Sequence, residues 1–364
     1  MNTIRAGFIG TGAIARTHAW ALNSLKYYYN DAPAIETVAA CSARKESREA
    51  FAGSYGFEKA CSIEEFVNDD TINTVFVLTP NKLHYEHFKA AINMASVRRI
   101  YLEKPVCSSE EEAQSISRLA LGRPEVKIQV GFQYLFSPAV REALSFWKSG
   151  ILGKPVHFDI KYYHSDYLKK EYRNKRLNRL TPAPDGGAMA DLGSHAISLL
   201  IAFMGSFKIN GAIQAGSFDD VDKRSDLFGQ IMLYNPGTGV AGTLSASRIT
   251  SGSGDDIVLE FFAENGALRY ASAKADCFEY YSEDTGVWTK KTVGSMYRNI
   301  TSFPSAHVPP GWLRAMAHAH YVFLTGTLGE VFVPDIDHGL AVQEMVVEAA
   351  RQFDIFRQTL KAES

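Results

Sequence analysis

The chain has 364 residues, 46% of them hydrophobic and 21% charged, and its formal net charge is -2 with neutral histidines. This length predicts two domains with buried cores, and the near-neutral charge gives no electrostatic reason to expect nucleic acid or an anionic membrane as a partner. The four cysteines lack the paired spacing of zinc sites and disulfide frameworks, so we expect no metal and a reducing, cytoplasmic location. We expect neither a signal peptide nor a membrane span, because the apolar runs are too short.

A glycine-rich turn lies close to the start of the chain. The apolar segment Ala6–Ile9 predicts a strand, the sequence Gly10-Thr11-Gly12-Ala13-Ile14-Ala15 follows it directly, and helix-forming residues continue to about Leu25. Strand, glycine turn and helix come in the order that a dinucleotide site requires. Gly10 permits the turn, Gly12 lets the backbone approach a pyrophosphate, and the start of the helix offers N–H groups to the phosphates.

Strands and helices then alternate through the first third of the chain. Apolar strands separated by amphipathic helices predict a Rossmann domain, a doubly wound parallel sheet covered on both faces. The further predicted strands are Ile35–Cys41, Ile72–Leu78, Arg99–Leu102 and Val126–Phe132, and the helices between them are Ser47–Tyr55, Lys82–Met94 and Ser109–Leu121.

The end of the second strand normally selects the cofactor. An acidic residue there would bind the ribose 2′-hydroxyl of NAD, but the sequence reads Cys41-Ser42-Ala43-Arg44-Lys45. A small hydroxyl followed by two cations suits a 2′-phosphate, which arginine binds through two donors. The pattern favours NADP, with NAD as the alternative if Arg44 and Lys45 merely open a solvated helix.

Two further segments follow strands at the carboxyl edge of the predicted sheet, where open α/β sheets bind ligands. Thr79-Pro80-Asn81 comes after the third strand, with Asn81 as a candidate helix cap and His84 as either a cofactor contact or a half-buried polar residue. Glu103-Lys104-Pro105 comes after the fourth strand. Taken alone, this tripeptide favours a surface Glu–Lys pair that closes the strand.

The second half of the chain has a different pattern. Strand-like segments without intervening helices predict a large, mostly antiparallel sheet, so we divide the chain into a dinucleotide-binding domain (1–131) and a substrate-binding and oligomerisation α/β domain (132–364). The predicted strands are Val156–Tyr163, Ala212–Ser217, Asp226–Tyr234, Val240–Ser247, Ile257–Ala263, Ala267–Ala271 and Cys277–Tyr281, and the predicted helices are Pro138–Lys148, Trp312–Thr325 and His338–Leu360.

One motif interrupts this sheet pattern. It runs from Asp185-Gly186-Gly187 to Asp191 and His195, and on a helix the last two residues share one face about one turn apart. A carboxylate at that distance orients an imidazole and raises its basicity, as a general base needs. The alternative is a helix start in which Asp191 compensates the dipole and His195 is a partly buried polar residue.

Taken together, these motifs resemble the Gfo/Idh/MocA oxidoreductases over nearly the whole chain. The resemblance implies NAD(P)-dependent oxidation or reduction of a sugar, cyclitol or related polyol by a homo-oligomer, a dimer or a tetramer. The motifs that carry it are Gly-Thr-Gly-Ala-Ile-Ala (10–15), Thr79-Pro80-Asn81 with His84, Glu103-Lys104-Pro105, Gly131-Phe132-Gln133 with Pro138, and Gly186-Gly187 with Asp191, Gly193 and His195.

The resemblance also implies roles for individual residues. Lys104 matches the active-site lysine, His195 the acid/base residue and Asp191 its partner. The residues that match the family's cofactor-lining positions are Gly10, Gly12, Ala13, Ile14, Ser42, Arg44, Thr79, Pro80, Asn81, His84, Glu103 and Lys104.

The substrate cannot be assigned from the motifs, but candidate residues can. Polyol pockets need hydrogen-bonding groups and an aromatic platform, and the candidates are Tyr163, His164, Asp166, Arg173, His307, Trp312 and His320. A basic cluster is either a solvated loop or a lid for an anionic substrate, and it comprises Lys169, Lys170, Arg173, Lys175, Arg176 and Arg179. Two other functions remain open: a non-catalytic dinucleotide-binding sensor of the same fold, and an NAD-dependent glycoside hydrolase.

Overall fold

A computed structural model of the chain describes residues 3–175, 177, 180–216, 218–293, 311–326, 329 and 331–363. The chain forms two compact units, Met1–Pro138 with Ser295–Leu340 and Ala139–Gly294 with Ala341–Ser364. These units differ from the predicted division at residue 131, because the helix Trp312–Thr325 packs against the first helix within the first unit. A division by function into cofactor and substrate domains stays a prediction.

The first unit contains a six-stranded parallel sheet in the order β3-β2-β1-β4-β5-β6. This is the strand order of a dinucleotide-binding doubly wound sheet, which confirms the predicted fold class. The strands are β1 Ile4–Ile9, β2 Ile35–Cys41, β3 Lys59–Cys61, β4 Thr74–Val77, β5 Arg99–Leu102 and β6 Lys127–Val130, and the helices of this region are α1 Ala13–Tyr28, α2 Lys45–Tyr55, α3 Ile63–Val67, α4 His84–Ile92 and α5 Glu110–Leu121.

The core of this unit explains why its strands are continuous apolar runs. The middle strands are covered on both faces, so β4 has no exposed residue. Phe8, Phe76 and Tyr101 from three strands pack with Ala19 and Leu22 of α1. This packing fixes the carboxyl ends of β1, β4 and β5 at one edge of the sheet.

The second unit contains an eight-stranded sheet in the order β14-β13-β12-β11-β7-β10-β9-β8. Its strand pairs are antiparallel except for β7 and β10, which confirms the predicted mostly antiparallel sheet. The strands are β7 Pro155–Tyr163, β8 Lys208–Ala215, β9 Phe228–Tyr234, β10 Ala241–Ser247, β11 Asp256–Ala263, β12 Gly266–Ala271, β13 Cys277–Ser282 and β14 Val287–Thr292, and the later helices of the chain are α6 Pro138–Lys148, α7 Lys170–Lys175, α8 Ser194–Met204, α9 Trp312–Thr325 and α10 Ile336–Glu363.

Strand register aligns side chains across the outer face of this sheet. Residues directly opposite each other point to the same side, so the pairings produce two parallel rows. One row is aromatic and apolar: Tyr234, Ala241, His157, Phe262, Ala267, Tyr281 and Trp288. The other is polar and mostly charged after its first member: Met232, Thr243, Asp159, Glu260, Arg269, Glu279 and Lys290.

Among the described helices, none combines the length and the hydropathy needed to cross a membrane.

Candidate active site

The first glycine of the turn after β1, Gly10, is required by the fold. Gly10 has a φ of +113°, and a Cβ placed on it would lie 2.6 Å from the carbonyl oxygen of Leu78. Its N–H donates to the carbonyl of Cys41 at 2.8 Å. Any side chain at Gly10 would therefore collide with the end of β4, so glycine is required for the ends of β1, β2 and β4 to meet.

The second glycine has no such structural reason. A Cβ placed on Gly12 meets no heavy atom within 4 Å among the residues that the structure describes. Gly12 is the N-cap of α1, no side chain of the described chain caps that helix start, and its first turn, which includes Ala13 and Ile14, contains no acidic residue. The first N–H groups of α1 are thus available to an anion, and Gly12 leaves room for one beside the backbone.

Ser42 and Arg44 lie where β2 leads into α2. The Ser42 hydroxyl donates to the carbonyl of Arg44 at 3.2 Å, and Arg48 donates to the carbonyl of Ser42 at 2.9 Å. Arg44 is the N-cap residue of α2 with an extended backbone, and it is exposed. These two hydrogen bonds to backbone carbonyls hold the turn, and Arg44 is left exposed at the surface.

His84 connects the two loops that follow β4 and β5. Its Nδ1 lies 2.5 Å from the carbonyl oxygen of Pro105, and its Nε2 lies 2.6 Å from that of Thr79. Burial lowers the pKa of His84, and the two carbonyl contacts act in the opposite direction. Asn81 opens a short 3-10 turn, Asn81–Leu83, and Leu83 is the residue at the N-cap of α4; the predicted capping by Asn81 is wrong, because this turn precedes the helix.

Glu103 and Lys104 follow β5 at the same edge of the sheet. Glu103 is only 6% exposed, which excludes the surface-pair alternative for this carboxylate. Its Oε1 lies 2.9 Å from Nε2 of His18, and its Oε2 accepts a hydrogen bond from the Lys104 backbone N–H at 3.2 Å. Lys104 is half-buried, and its backbone N–H is held by the buried neighbour.

Asp191 and His195 lie on consecutive helical segments of the second unit. Asp191 belongs to a π-helical turn, Met189–Gly193, and His195 to the first turn of α8. Single π-helical turns occur frequently at functional sites. The Asp191 carboxylate forms an ion pair with Arg248, a buried residue just after β10 that the sequence reasoning missed. The orienting contact between Asp191 and His195 stays a prediction.

The glycine at position 187, just before this turn, is explained by Asp226. Gly187 has a φ of +77°, and a Cβ on it would lie 1.8 Å from Oδ1 of Asp226. The other carboxylate oxygen accepts from the backbone N–H of Met189 at 2.7 Å. Burial raises the pKa of Asp226 to about 7, so its carboxyl group is partly protonated at neutral pH. Asp226 thereby fixes the backbone of Gly187 and Met189, where the π-helical turn that contains Asp191 begins.

The substrate candidates Tyr163, His164 and Asp166 lie at the end of β7 and just after it. The Tyr162 ring lies 6.0 Å from that of His195 and 5.4 Å from that of His164. His164 also contacts Asp255 at 3.0 Å and Asp166 at 3.6 Å. Successive side chains alternate along a strand, so Tyr163 lies on the face opposite His195. The Tyr163 hydroxyl contacts the Ser245 hydroxyl at 2.7 Å on that face, and a role for Tyr163 in a polyol pocket stays a prediction.

Two other substrate candidates are buried in structural contacts. Arg173 forms an ion pair with Asp220 at 2.9 Å and donates to the carbonyl of Tyr167 at 2.7 Å. His320 is fully buried and contacts His18. Both predictions of a substrate contact are wrong, because these side chains are used within the fold. His307, and Arg176 and Arg179 of the basic cluster, lie outside the described residues.

Within the described ranges, no group of three or more His, Cys, Asp or Glu side chains is arranged to hold a metal ion.

Family models match both halves of the chain. Residues 4–132 match the model of an oxidoreductase family with an NAD-binding Rossmann fold. Residues 140–269 match the model of the GFO/IDH/MocA C-terminal domain. The two ranges together cover well over half of the 364 residues.

Individual proteins are similar at lower identity. Levoglucosan dehydrogenase from Pseudarthrobacter phenanthrenivorans is 24% identical over 301 residues, 76% of this chain and 75% of that protein. The scyllo-inositol 2-dehydrogenase (NAD(+)) of Bacillus subtilis is 27% identical over 280 residues, 73% of each chain. A solved structure of levoglucosan dehydrogenase in complex with NADH and levoglucosan has a TM-score of 0.83 at 21% identity, over 96% of this chain and 98% of that one. At this identity the structural likeness establishes the fold.

Proposed function

Because this chain belongs to the GFO/IDH/MocA oxidoreductase family, we propose that it transfers hydride between a nicotinamide cofactor and a hydroxyl-bearing or carbonyl carbon of a sugar, cyclitol or related polyol. The observation that carries the proposal is the start of α1, where the fold requires Gly10 but not Gly12 and leaves the helix uncapped. A dinucleotide pyrophosphate fits these features. Relatives named as levoglucosan and scyllo-inositol dehydrogenases support the substrate class.

The chain contributes a charge and a base to this chemistry. A nicotinamide, when bound, supplies the hydride acceptor or donor. In the direction of alcohol oxidation, His195 takes the hydroxyl proton as the general base. Lys104, as an ammonium, is proposed to stabilise the developing alkoxide. Asp191, held as an anion by Arg248, is proposed to bind a substrate hydroxyl or to orient His195.

The remaining cofactor contacts are proposed at the carboxyl edge of the parallel sheet. Ser42 and Arg44 lie where the adenosine ribose is read in this strand order, and the exposed guanidinium favours the 2′-phosphate of NADP over the 2′-hydroxyl of NAD. The loops after β4 and β5 supply the other side of the site: Thr79, Pro80, Asn81, His84, Glu103 and Lys104. The family model describes NAD binding, and the proposed preference for NADP rests on Ser42 and Arg44 of this chain.

A panel of polyols and aldoses, each assayed with NAD and NADP in parallel, tests both proposals. We expect a substrate-dependent rise in reduced-cofactor absorbance, with kcat/KM about tenfold or more higher for NADP, since charge-assisted hydrogen bonds contribute roughly 1.5–3 kcal/mol. Mass spectrometry of the products in stopped assays should show that the sugar loses two hydrogen atoms for each cofactor molecule reduced.

Each contrary outcome of the panel identifies a different error. A signal with NAD alone would overturn the assignment of Ser42 and Arg44. Tight cofactor binding without any turnover would favour the sensor function. Cleavage of a glycoside without net cofactor reduction would favour the hydrolase.

The outer face of the eight-stranded sheet supports the proposed homo-oligomer. Met232 and Tyr234 are 50% and 42% exposed on this face, and Trp288 is 42% exposed at its far edge. The aromatic row and the charged row run side by side across it, and the charged row contains both signs, from Asp159 and Glu260 to Arg269 and Lys290. A second copy related by a two-fold axis could cover the apolar row and pair these charges.

Light scattering on the purified protein tests this assembly. We expect a mass that is a multiple of the chain mass of 40.2 kDa, and a shift toward 40.2 kDa on Tyr234→Glu with Trp288→Glu, which place charges in the apolar row. The double substitution Ala50→Glu with Ser54→Glu, at two exposed positions of α2, is a control with the same change in charge. A wild-type mass of 40.2 kDa at micromolar concentration would contradict the proposal.

A further inference from the structure

A chain of buried polar side chains lies directly behind Lys104. His320 Nδ1 lies 2.8 Å from the carbonyl oxygen of Met316, His320 Nε2 lies 2.9 Å from His18 Nδ1, and His18 Nε2 lies 2.9 Å from Glu103 Oε1. His18 and His320 are fully buried. All of these residues belong to the first unit. We refer to them as the His320–His18–Glu103 chain.

The hydrogen-bond partners within the His320–His18–Glu103 chain determine which ring nitrogens carry protons. A carbonyl oxygen only accepts, so the Nδ1 of His320 carries a proton toward Met316. Burial and the neighbouring His18 keep the pKa of His320 well below its usual value, so this ring is neutral and its Nε2 is an acceptor. His18 must therefore donate from Nδ1 to His320.

This assignment leaves one contact that neutral groups cannot make. With its proton on Nδ1, a neutral His18 would present the lone pair of Nε2 to the Glu103 carboxylate at 2.9 Å. Two acceptors at that distance repel each other, so one additional proton must lie between them. The imidazole is ordinarily the stronger base, and the other carboxylate oxygen of Glu103 accepts from the Lys104 N–H. Both facts favour an imidazolium at His18 paired with a carboxylate at Glu103.

We propose that His18 is a positioning residue for Lys104, because its bound proton holds the buried Glu103 carboxylate and, through it, the backbone of Lys104. The inference deepens the proposed function, since it concerns the residue assigned there to alkoxide stabilisation. The pair is neutral overall, so it adds no net charge behind the Lys104 ammonium. Without the proton on His18, the uncompensated carboxylate of Glu103 would attract that ammonium away from the substrate oxygen.

The first experiment is a double-substitution cycle of His18→Gln and Glu103→Gln. His18→Gln should lower kcat by about 10- to 100-fold while the dissociation constant of the cofactor changes less, because it leaves a buried charge beside Lys104. In that background Glu103→Gln removes the charge and should restore at least about half of the loss on a logarithmic scale. A packing role alone predicts that the two effects on kcat simply multiply.

His318→Gln is the matched control for loss of a buried imidazole. His318 lies on the same helix α9, is 2% exposed, and contacts the Tyr29 hydroxyl at 2.7 Å rather than Glu103. It should lower the unfolding temperature without lowering kcat. Multiplying effects in the cycle, or an equal loss of kcat in the control, would overturn the positioning role.

The second experiment needs neither a folded variant nor turnover. In the wild-type protein with 15N-labelled histidines, long-range proton–nitrogen correlation spectra at neutral pH should show both ring nitrogens of His18 protonated and His320 protonated at Nδ1 alone. The low-frequency position of both His18 nitrogens would distinguish an imidazolium from a neutral ring. A neutral His18 would overturn the proposal even if the oxidoreductase activity is established, and an imidazolium would support it even if no substrate is found.

Discussion

Substitution of Lys104 by methionine should lower kcat by about 10²–10³-fold, the loss typical of removing one charged donor from a developing oxyanion. Methionine retains the length and flexibility of the side chain but has no ammonium. The Glu103 contact to the backbone N–H at position 104 survives the change, so the fold around the site should persist. Initial rates with the best substrate of the polyol panel measure the effect.

Cofactor binding separates this result from unfolding. The fluorescence of the reduced cofactor should titrate the Lys104→Met protein with an affinity close to that of the wild type, because the glycine turn and α1 are untouched. Lys127→Met provides the matched control, since Lys127 is an exposed lysine at the opposite end of the same sheet, at the start of β6. Near-normal kcat in Lys104→Met would remove Lys104 from the mechanism.

His195→Asn should lower kcat by about 10²–10⁴-fold, the range for loss of a positioned general base. Asparagine preserves a polar side chain of similar size but cannot accept a proton at neutral pH. The residual rate should rise with hydroxide concentration, because solvent must then remove the hydroxyl proton. A pH–rate profile from the same panel substrate measures this change.

The control for this prediction is a second buried imidazole. His338 lies between Phe132 and Phe332, and burial lowers its pKa to about 4, so it is neutral across the working pH range. His338→Asn should change the unfolding temperature but not the shape of the pH–rate profile. If the acid limb of the profile is the same in His195→Asn as in the wild type, another group is the base.

The long elements could be predicted because burial imposes a period on the sequence. The bounds of β2, β5, α6 and α9 were predicted as the structure has them. Two strands were missed for opposite reasons. β3 has three residues, too few to show a period, and β14 is exposed along its whole length, so no alternation marks it.

Residues of the candidate site could be predicted where the backbone geometry requires a particular residue type. They could not be predicted where their role depends on pairing with a side chain that is distant in the sequence. Glycines at turns and a histidine four residues after an aspartate leave a local signal. Arg248, which pairs with Asp191, and His320, which contacts His18, are brought in by tertiary structure from 57 and 302 residues away. A single arginine after a strand or a histidine on an apolar helix face gives no local indication of its partner. From the sequence His320 is therefore only a candidate substrate contact, whereas in the structure it is buried in the core.

The separation of 302 residues between His18 and His320 also has a consequence for biosynthesis. At ~5–20 residues per second, His320 leaves the ribosome about 15–60 s after His18. During that interval the aromatic residues of β4 and β5 that pack on α9, Phe76 and Tyr101, lack their cover from Phe323. We therefore expect a fragment ending near residue 131, which lacks this cover, to be recovered from cells as an aggregate.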